Sequence, residues 1–419
     1  MKKAVVFTLG CKVNDVESGS IIKDLQTLGY EVSRELDVAD LYIFNTCAVT
    51  AEAERKSRQA VGKAKKLNSE AKIIVCGCAT EKNADAFLGK ENVFAVVGAK
   101  GKNRVLEIVK SGFAPTMQGG QVCNGDGRYE EMSVPDCLKT RAFVKVQDGC
   151  NRFCSYCIIP YLRGRSRSRS VESSAKEILQ SEALETVVTG IDISDYKDEQ
   201  GKDFADLITA VQGADTRIRL GSIEVSMITE KLLTALKGLK NFAPQFHLSL
   251  QSGSNAVLKS MNRHYTREGY LEACQRIYET FPGAGITTDI IVGFPTETEE
   301  DFLQSLAIIK EAGFSQIHAF PYSPREGTNA YKRYKELPAS VKRERMERIL
   351  EAGERQKHAY LQAQIGKTAV IVPEQCKNGV TEGYAGNYIR VYVDGELPKT
   401  LIEVRITELY KDGVKAERL

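Results

Sequence analysis

Three cysteines crowd into the stretch Gly149-Cys150-Asn151-Arg152-Phe153-Cys154-Ser155-Tyr156-Cys157, spaced C-x3-C-x2-C directly after the strand-like run Ala142 to Gln147. Thiolates packed into one tight turn call for a soft metal. Structural zinc normally takes four protein ligands with paired C-x2-C spacing, and here no further Cys or His follows closely on the carboxyl side. Three ligands suit instead a 4Fe-4S cluster whose fourth iron stays open to a cofactor, with a zinc knuckle as the competing reading.

The chain of 419 residues holds eleven cysteines, and an odd number grouped in motifs argues for metal ligation in a reducing compartment over a disulfide framework. Cys11, Cys47 and Cys78 each follow a short apolar run, at 4–9, 41–45 and 72–76, and a fourth run lies at 94–98. Helical periodicity fills the gaps between these runs. That alternation predicts a parallel sheet with helices on both faces, whose strand carboxyl ends form the ligand crevice. Three cysteines remote in sequence would then converge as a second thiolate cluster; the alternative is three unrelated core cysteines. Cys76 falls inside its strand and reads as a small buried thiol. Cys123 and Cys137 lie in a Gly-rich stretch at 113–140 that reads as a linker, and Cys274 and Cys376 have no partner at metal spacing.

From residue 141 the alternation restarts, with strands expected near 142–148, 185–190, 217–221, 246–250, 285–292 and 315–320. Six such βα units predict an open, partial TIM barrel with its catalytic loops at the strands' carboxyl ends. Thr189, Gly190, Glu224, Gln251, Asp289 and Gly293 stand at those ends and outline a nucleoside-sized pocket, Gly190, Gly253 and Gly293 leaving room for close backbone approach. The mixed-sign segment Pro338 to Ala363 predicts an exposed helix laced with ion pairs. Short strands after residue 366 predict a small β-barrel, with Tyr384, Tyr388 and Tyr392 either as stacking platforms for RNA or as core. The formal net charge of +3 decides little, but Arg163, Arg165, Arg167 and Arg169 form a run just after the cysteine loop where a polyanion would reach the site. No run of eighteen apolar residues occurs, and the amino terminus enters a strand directly, so neither a membrane span nor a secretory signal is expected and the cytoplasm is the expected location.

The cysteine loop, with Tyr156 before its last thiol, resembles the radical S-adenosylmethionine (SAM) enzymes. End to end, the chain resembles the radical-SAM methylthiotransferases: Leu9-Gly10-Cys11-Lys12-Val13-Asn14, Asn45-Thr46-Cys47 and Gly77-Cys78 match the amino-terminal motifs, Gln147 to Tyr161 the SAM-cleaving motif, and 366–419 a TRAM domain. The resemblance implies a methylthiotransferase domain at 1–112, a linker at 113–140, a radical SAM domain at 141–365 and tRNA binding by 366–419. It implies two 4Fe-4S clusters, one on Cys150, Cys154 and Cys157 and an auxiliary one on Cys11, Cys47 and Cys78. SAM would serve both as methyl donor and as source of a 5′-deoxyadenosyl radical, with Tyr156 and the strand-end residues as its contacts. The Lys12-Val13 pair, the Arg163 to Arg169 run and His247 to Gly253 resemble the branch that converts N6-threonylcarbamoyladenosine at position 37 of tRNA to its 2-methylthio derivative. Partners implied are the anticodon stem-loop, an electron donor protein and a sulfur donor. The competing readings are action on N6-isopentenyladenosine or on a ribosomal protein side chain, and a non-catalytic iron–sulfur RNA-binding module. Thr296 stands where many members carry Gly, Asp195 lies where a Gly is common nearby, and the four histidines are expected to be structural.

Overall fold

The computed structural model describes residues 2–48, 51–90, 92–114, 119–120, 127–136 and 140–419. The chain forms two compact units, one of residues 1–136, 145–151 and 158–169, the other of 137–144, 152–157 and 170–419.

In the first unit, strands β1 (Lys3–Thr8), β2 (Glu31–Ser33), β3 (Leu41–Thr46), β4 (Lys72–Gly77), β5 (Val93–Val97) and β6 (Gly119–Gly120) make a parallel sheet ordered β2-β1-β3-β4-β5-β6. Every residue of β3 is buried, as a central parallel strand covered on both faces requires. Alternation divides its side chains: Tyr42 and Phe44 join Ile73 and Val75 under helix α2 (Ala51–Leu67), while Leu41 and Ile43 join Val6 and Ile74 under α1 (Lys12–Thr27). The described part of the expected linker is docked on this unit. Glu130 accepts from the backbone N–H groups of Gly101, Lys102 and Asn103 at the start of the helix Asn103–Lys110, and the Tyr129 hydroxyl donates to the Lys145 carbonyl at 2.6 Å. Cys123 and Cys137 lie outside the described residues.

All six strands expected beyond residue 141 form: β7 (Arg141–Asp148), β9 (Glu185–Gly190), β10 (Arg217–Leu220), β12 (Gln245–Leu248), β13 (Gly285–Val292) and β14 (Gln316–Pro321). Two further pieces, β8 (Arg167–Ser168) and β11 (Ser222–Ile223), are only a dipeptide each. The strands make two four-stranded sheets, β10-β9-β7-β8 and β11-β12-β13-β14. The chain steps from one to the other at Gly221, where a Cβ would stand 3.1 Å from both the Val188 carbonyl and the Thr189 hydroxyl. Helices open on Ser170, Asp203, Thr229, Ser254, Thr266 and Thr298, whose side chains each accept a backbone N–H of the first turn. The helix Ala339–Gln362 carries the i,i+4 pairs Glu344–Arg348 and Glu351–Arg355 expected of it.

The last strands, β15 (Thr368–Lys377), β16 (Val380–Ala385), β17 (Arg390–Asp394), β18 (Ile402–Tyr410) and β19 (Gly413–Arg418), close into a barrel ordered β15-β16-β17-β19-β18. It is fixed to the rest of the second unit by arginines. Glu185, fully buried on β9, pairs with Arg141, Arg217 and Arg219. From that anchor Arg217 donates to the carbonyls of Val370 (2.8 Å) and Tyr384 (3.1 Å), and Arg219 to those of Ala385 (3.2 Å) and Gly386 (3.0 Å). Among the described residues no helix is long and apolar enough to cross a membrane.

Candidate active site

The three amino-terminal cysteines leave adjacent strands at the same end of the sheet. Cys11 stands immediately before α1, Cys47 follows β3, and Cys78 opens the short helix α3 (Cys78–Lys82) after β4. The glycines before two of them have steric reasons. At Gly10 (φ +123°) a Cβ would stand 3.3 Å from Cys47 Sγ, and at Gly77 (φ +107°) it would stand 2.4 Å from the Thr46 carbonyl. The asparagines of the same motifs brace the loops. Asn14 Nδ2 donates to the carbonyls of Leu9 (2.9 Å) and Thr46 (3.1 Å), its Oδ1 accepts from Cys11 Sγ at 3.7 Å, and Asn45 Nδ2 donates to the Asn14 carbonyl at 2.9 Å. Burial pushes the Cys78 thiol up, against the pull of the Arg163 and Lys102 charges. Cys76 is wholly buried inside β4, as expected, and burial pushes its thiol up to about 12, so it stays a neutral core group. Cys274 is likewise buried and pushed up to about 12, whereas Cys376 is exposed.

Beneath these loops lies an ionic cluster. Glu17 pairs with Lys102, with Lys145 (2.8 Å) and with Arg163 (3.0 Å); Asp148 pairs with Lys145 (2.7 Å), Arg163 (2.9 Å) and Arg167 (3.2 Å). Burial works to raise both carboxyls, but the cations outweigh it and hold both well below the usual carboxylate range. The expected RNA-facing run is corrected here. Arg163 is 0% exposed, Arg169 is buried and pairs with Glu131 at 2.9 Å, and Arg167 turns to Asp148, which leaves Arg165 as the exposed member.

The C-x3-C-x2-C loop is held from several sides. In the first unit, Cys150 N–H donates to the Gly164 carbonyl at 3.1 Å, and a Cβ on Gly149 (φ +73°) would overlap the Arg165 carbonyl. In the second unit, Cys157 N–H donates to the Cys154 carbonyl (3.0 Å), Ser155 N–H and Oγ donate to the carbonyls of Met261 (2.9 Å) and Ser260 (2.8 Å), and Asn262 Nδ2 reaches the Phe153 carbonyl (3.0 Å). Tyr156 packs on Val257, Met261, Phe294, Tyr322 and Ala330, and burial pushes its hydroxyl far up, so it anchors the loop as a neutral group. Arg263, which no sequence motif marked, donates through Nη1 to Cys154 Sγ at 3.3 Å and pairs with Glu224 at 3.3 Å. Glu224 also pairs with Arg152 (2.7 Å), which reaches Asp192 (3.0 Å). One of the expected cofactor contacts is thus tied to one cluster cysteine.

The other strand-end residues divide. Thr189 is buried at the end of β9, with Gly190 next to it. Asp289 Oδ2 lies within hydrogen-bond distance of His247 Nε2 at 3.2 Å, and Gln251 (φ +68°) donates its N–H to the Asp289 carbonyl at 2.8 Å, so Asp289 and Gln251 are adjacent. Two of the three glycines expected to admit a nucleoside, Gly253 and Gly293, lie against helices. A Cβ on Gly293 (φ +70°) would stand 2.4 Å from Lys342 Cγ, and one on Gly253 would stand 2.6 Å from Ser305 Cα. In the barrel, Tyr384 and Tyr388 stack at 4.9 Å with Tyr388 partly exposed, whereas Tyr392 is core and donates its hydroxyl to Asp412.

Thiolates are soft donors, and a trio at the carboxyl ends of three neighbouring strands beside buried cations fits a polynuclear iron–sulfur cluster, in which each thiolate would bind its own iron. Among the described residues no three Cys, His, Asp or Glu side chains gather around a single point as a mononuclear metal would require.

Residues 3–98 match the family described as Uncharacterized protein family UPF0004, and residues 144–309 match the Radical SAM superfamily. Among solved structures, the radical S-adenosylmethionine methyltransferase TsrM from Kitasatospora setae superposes with a TM-score of 0.59 at 14% identity, over 79% of this chain and 77% of that one. The architecture is therefore that of a radical-SAM protein. Threonylcarbamoyladenosine tRNA methylthiotransferase MtaB of Chlamydia pneumoniae is 37% identical over 98% of this chain and 96% of its own length; the Bacillus subtilis (strain 168) protein of the same name is 35% identical over 99% and 96%. A tRNA-2-methylthio-N(6)-dimethylallyladenosine synthase of Alkaliphilus oremlandii is 35% identical over 84% of this chain and 77% of its own. The chain belongs to the radical-SAM tRNA methylthiotransferase family, in its threonylcarbamoyladenosine branch.

Proposed function

We propose that this protein converts N6-threonylcarbamoyladenosine at position 37 of tRNA to its 2-methylthio derivative. The observation that carries the reading is the near full-length match to relatives named for that base. Cys150, Cys154 and Cys157 hold one 4Fe-4S cluster and Cys11, Cys47 and Cys78 the other. The clusters and SAM supply the sulfur, the methyl group and the oxidising power that no ordinary side chain offers for replacing the hydrogen at C2 of adenine.

The chain's own residues bind and orient. Asn14 and Asn45 fix the amino-terminal loops, Arg263 places a charged donor on Cys154, and Glu224 holds Arg263 and Arg152 together. Residues 1–112, 113–140, 141–365 and 366–419 are taken as the auxiliary-cluster domain, linker, SAM domain and tRNA-binding TRAM domain. The exposed Arg165 supports RNA contact through phosphate, whereas the Tyr388 ring is already stacked on Tyr384 and covered by Arg219. A cytoplasmic location, an electron donor protein and a sulfur donor complete the reading. Mass spectrometry of tRNA nucleosides from a deletion strain tests it: 2-methylthio-N6-threonylcarbamoyladenosine disappears and the unthiolated base accumulates. Loss of the dimethylallyl derivative instead would assign the chain to the sister reaction, and unchanged nucleosides would overturn the proposal.

A further inference from the structure

Arg163 is the largest fully buried side chain, and its donors can be counted. A guanidinium has five N–H groups. Nη1 donates to Glu17 Oε1 (3.0 Å) and Asp148 Oδ1 (2.9 Å), and Nη2 to Asn14 Oδ1 (2.6 Å) and Glu17 Oε2 (3.3 Å). The fifth, on Nε, is buried and has no acceptor among the described residues. An orphaned charged donor at zero exposure is costly and calls for an absent anionic partner. The surroundings agree. Among the described residues the carboxylates paired with Lys102, Lys145, Arg163 and Arg167 are Glu17 and Asp148, four cations against two carboxylates, with Lys102 Nζ also donating to Asn45 Oδ1 (3.0 Å) and Arg167 to the Arg163 carbonyl (2.7 Å). Cys78 and Cys11 stand next in line among the groups acting electrostatically on this guanidinium, and Asn14 Oδ1 accepts from both Cys11 Sγ and Arg163.

We propose that Arg163 is a positioning residue of the auxiliary cluster, its spare N–H and the surplus positive charge around it being matched to anionic sulfur held by Cys11, Cys47 and Cys78. The inference rests on the two-cluster reading above and adds that the segment immediately after the SAM motif sets the potential of the other cluster. Cluster potentials respond to net charge and to hydrogen bonds on sulfur, so removing this donor should lower the midpoint.

The test uses the full chain carrying Cys150→Ala, Cys154→Ala and Cys157→Ala, reconstituted anaerobically so that only the amino-terminal trio can hold iron. Its midpoint potential and electron paramagnetic resonance spectrum are compared with those after adding Arg163→Gln or Arg163→Lys, circular dichroism reporting the fold. The expected result is a drop in midpoint for Arg163→Gln and a smaller drop with an altered spectrum for Arg163→Lys, which keeps the charge but not the fork. Where Arg163→Gln does not fold, Glu17→Gln serves, and its expected shift is upward. Full iron loading with unchanged midpoint and spectrum in these variants would overturn the assignment of Arg163. A parent chain with Arg163 intact that takes up no iron would instead overturn the two-cluster reading.

Discussion

At the scale of single residues, the division of labour between the thiol trios gives the first expectation. Cys11→Ala should lower the iron content from about eight to about four per chain while SAM cleavage, read as 5′-deoxyadenosine release under reductant, persists and methylthiolated nucleoside is lost. Loss of both activities together would contradict separate roles. Arg263→Ala removes the charged donor from Cys154 and leaves Arg152 as the remaining cation on Glu224, beside the Ser226 hydroxyl, and iron loss from that cluster under a chelator should be roughly 10-fold faster or more. The cysteines were legible in the sequence because their chemistry is bound to spacing or to strand ends. The arginines were not. Arg163 and Arg169 sit in a serine-rich alternation that has the composition of a solvated surface, and it is Glu17 and Asn14, far back in the chain, together with Asp148 that hold Arg163 inward.

At the scale of elements, strands β7, β9, β10, β12, β13 and β14 were foreseeable from apolar runs of four to eight residues with helical spacing between them, and β1, β3, β4 and β5 likewise. The dipeptides β8 and β11 were not, since two residues carry no period. Glycines were misread for a related reason: a sequence says that a Cβ is missing, but not what takes its place. At Gly253 and Gly293 it is a helix, whereas at Gly77 it is the neighbouring strand's carbonyl. Gly77→Ala must both hold φ near +107° and displace Thr46, which should cost roughly 2–3 kcal/mol. Denaturant titration of the apo chain checks the stability, and iron uptake by Cys78 should fall with it.

At the scale of the whole chain, the carboxy-terminal barrel is attached both by Tyr360 and Leu361 packed on its core and by arginines gathered on one carboxylate, Glu185. Burial works to raise the Glu185 carboxyl, but Arg219, Arg217 and Arg141 outweigh it and hold it at about 2. A carboxyl depressed on folding contributes stability that is complete above its unfolded value near 4.5 and is lost as the pH falls toward 2. Acid titration of the apo protein should therefore show the denaturation midpoint falling across that window, and Glu185→Gln should flatten this part of the profile while lowering stability at neutral pH. Arg219→Ala should weaken barrel docking and expose the 384–387 turn to limited proteolysis, with the cluster cysteines and their iron unaffected.

Arg217 and Arg219 grip peptide oxygens of Val370, Tyr384, Ala385 and Gly386, which any residue at those positions would offer, whereas Glu374 on Arg141 and the Tyr388 ring against Arg219 are side chains that the joint does read. Mutational drift elsewhere on the barrel's outer surface leaves the joint in place. A foreign barrel of the same backbone trace, grafted after residue 366, should seat on the same two guanidinium groups where it keeps a carboxylate at 374 and an aromatic ring at 388.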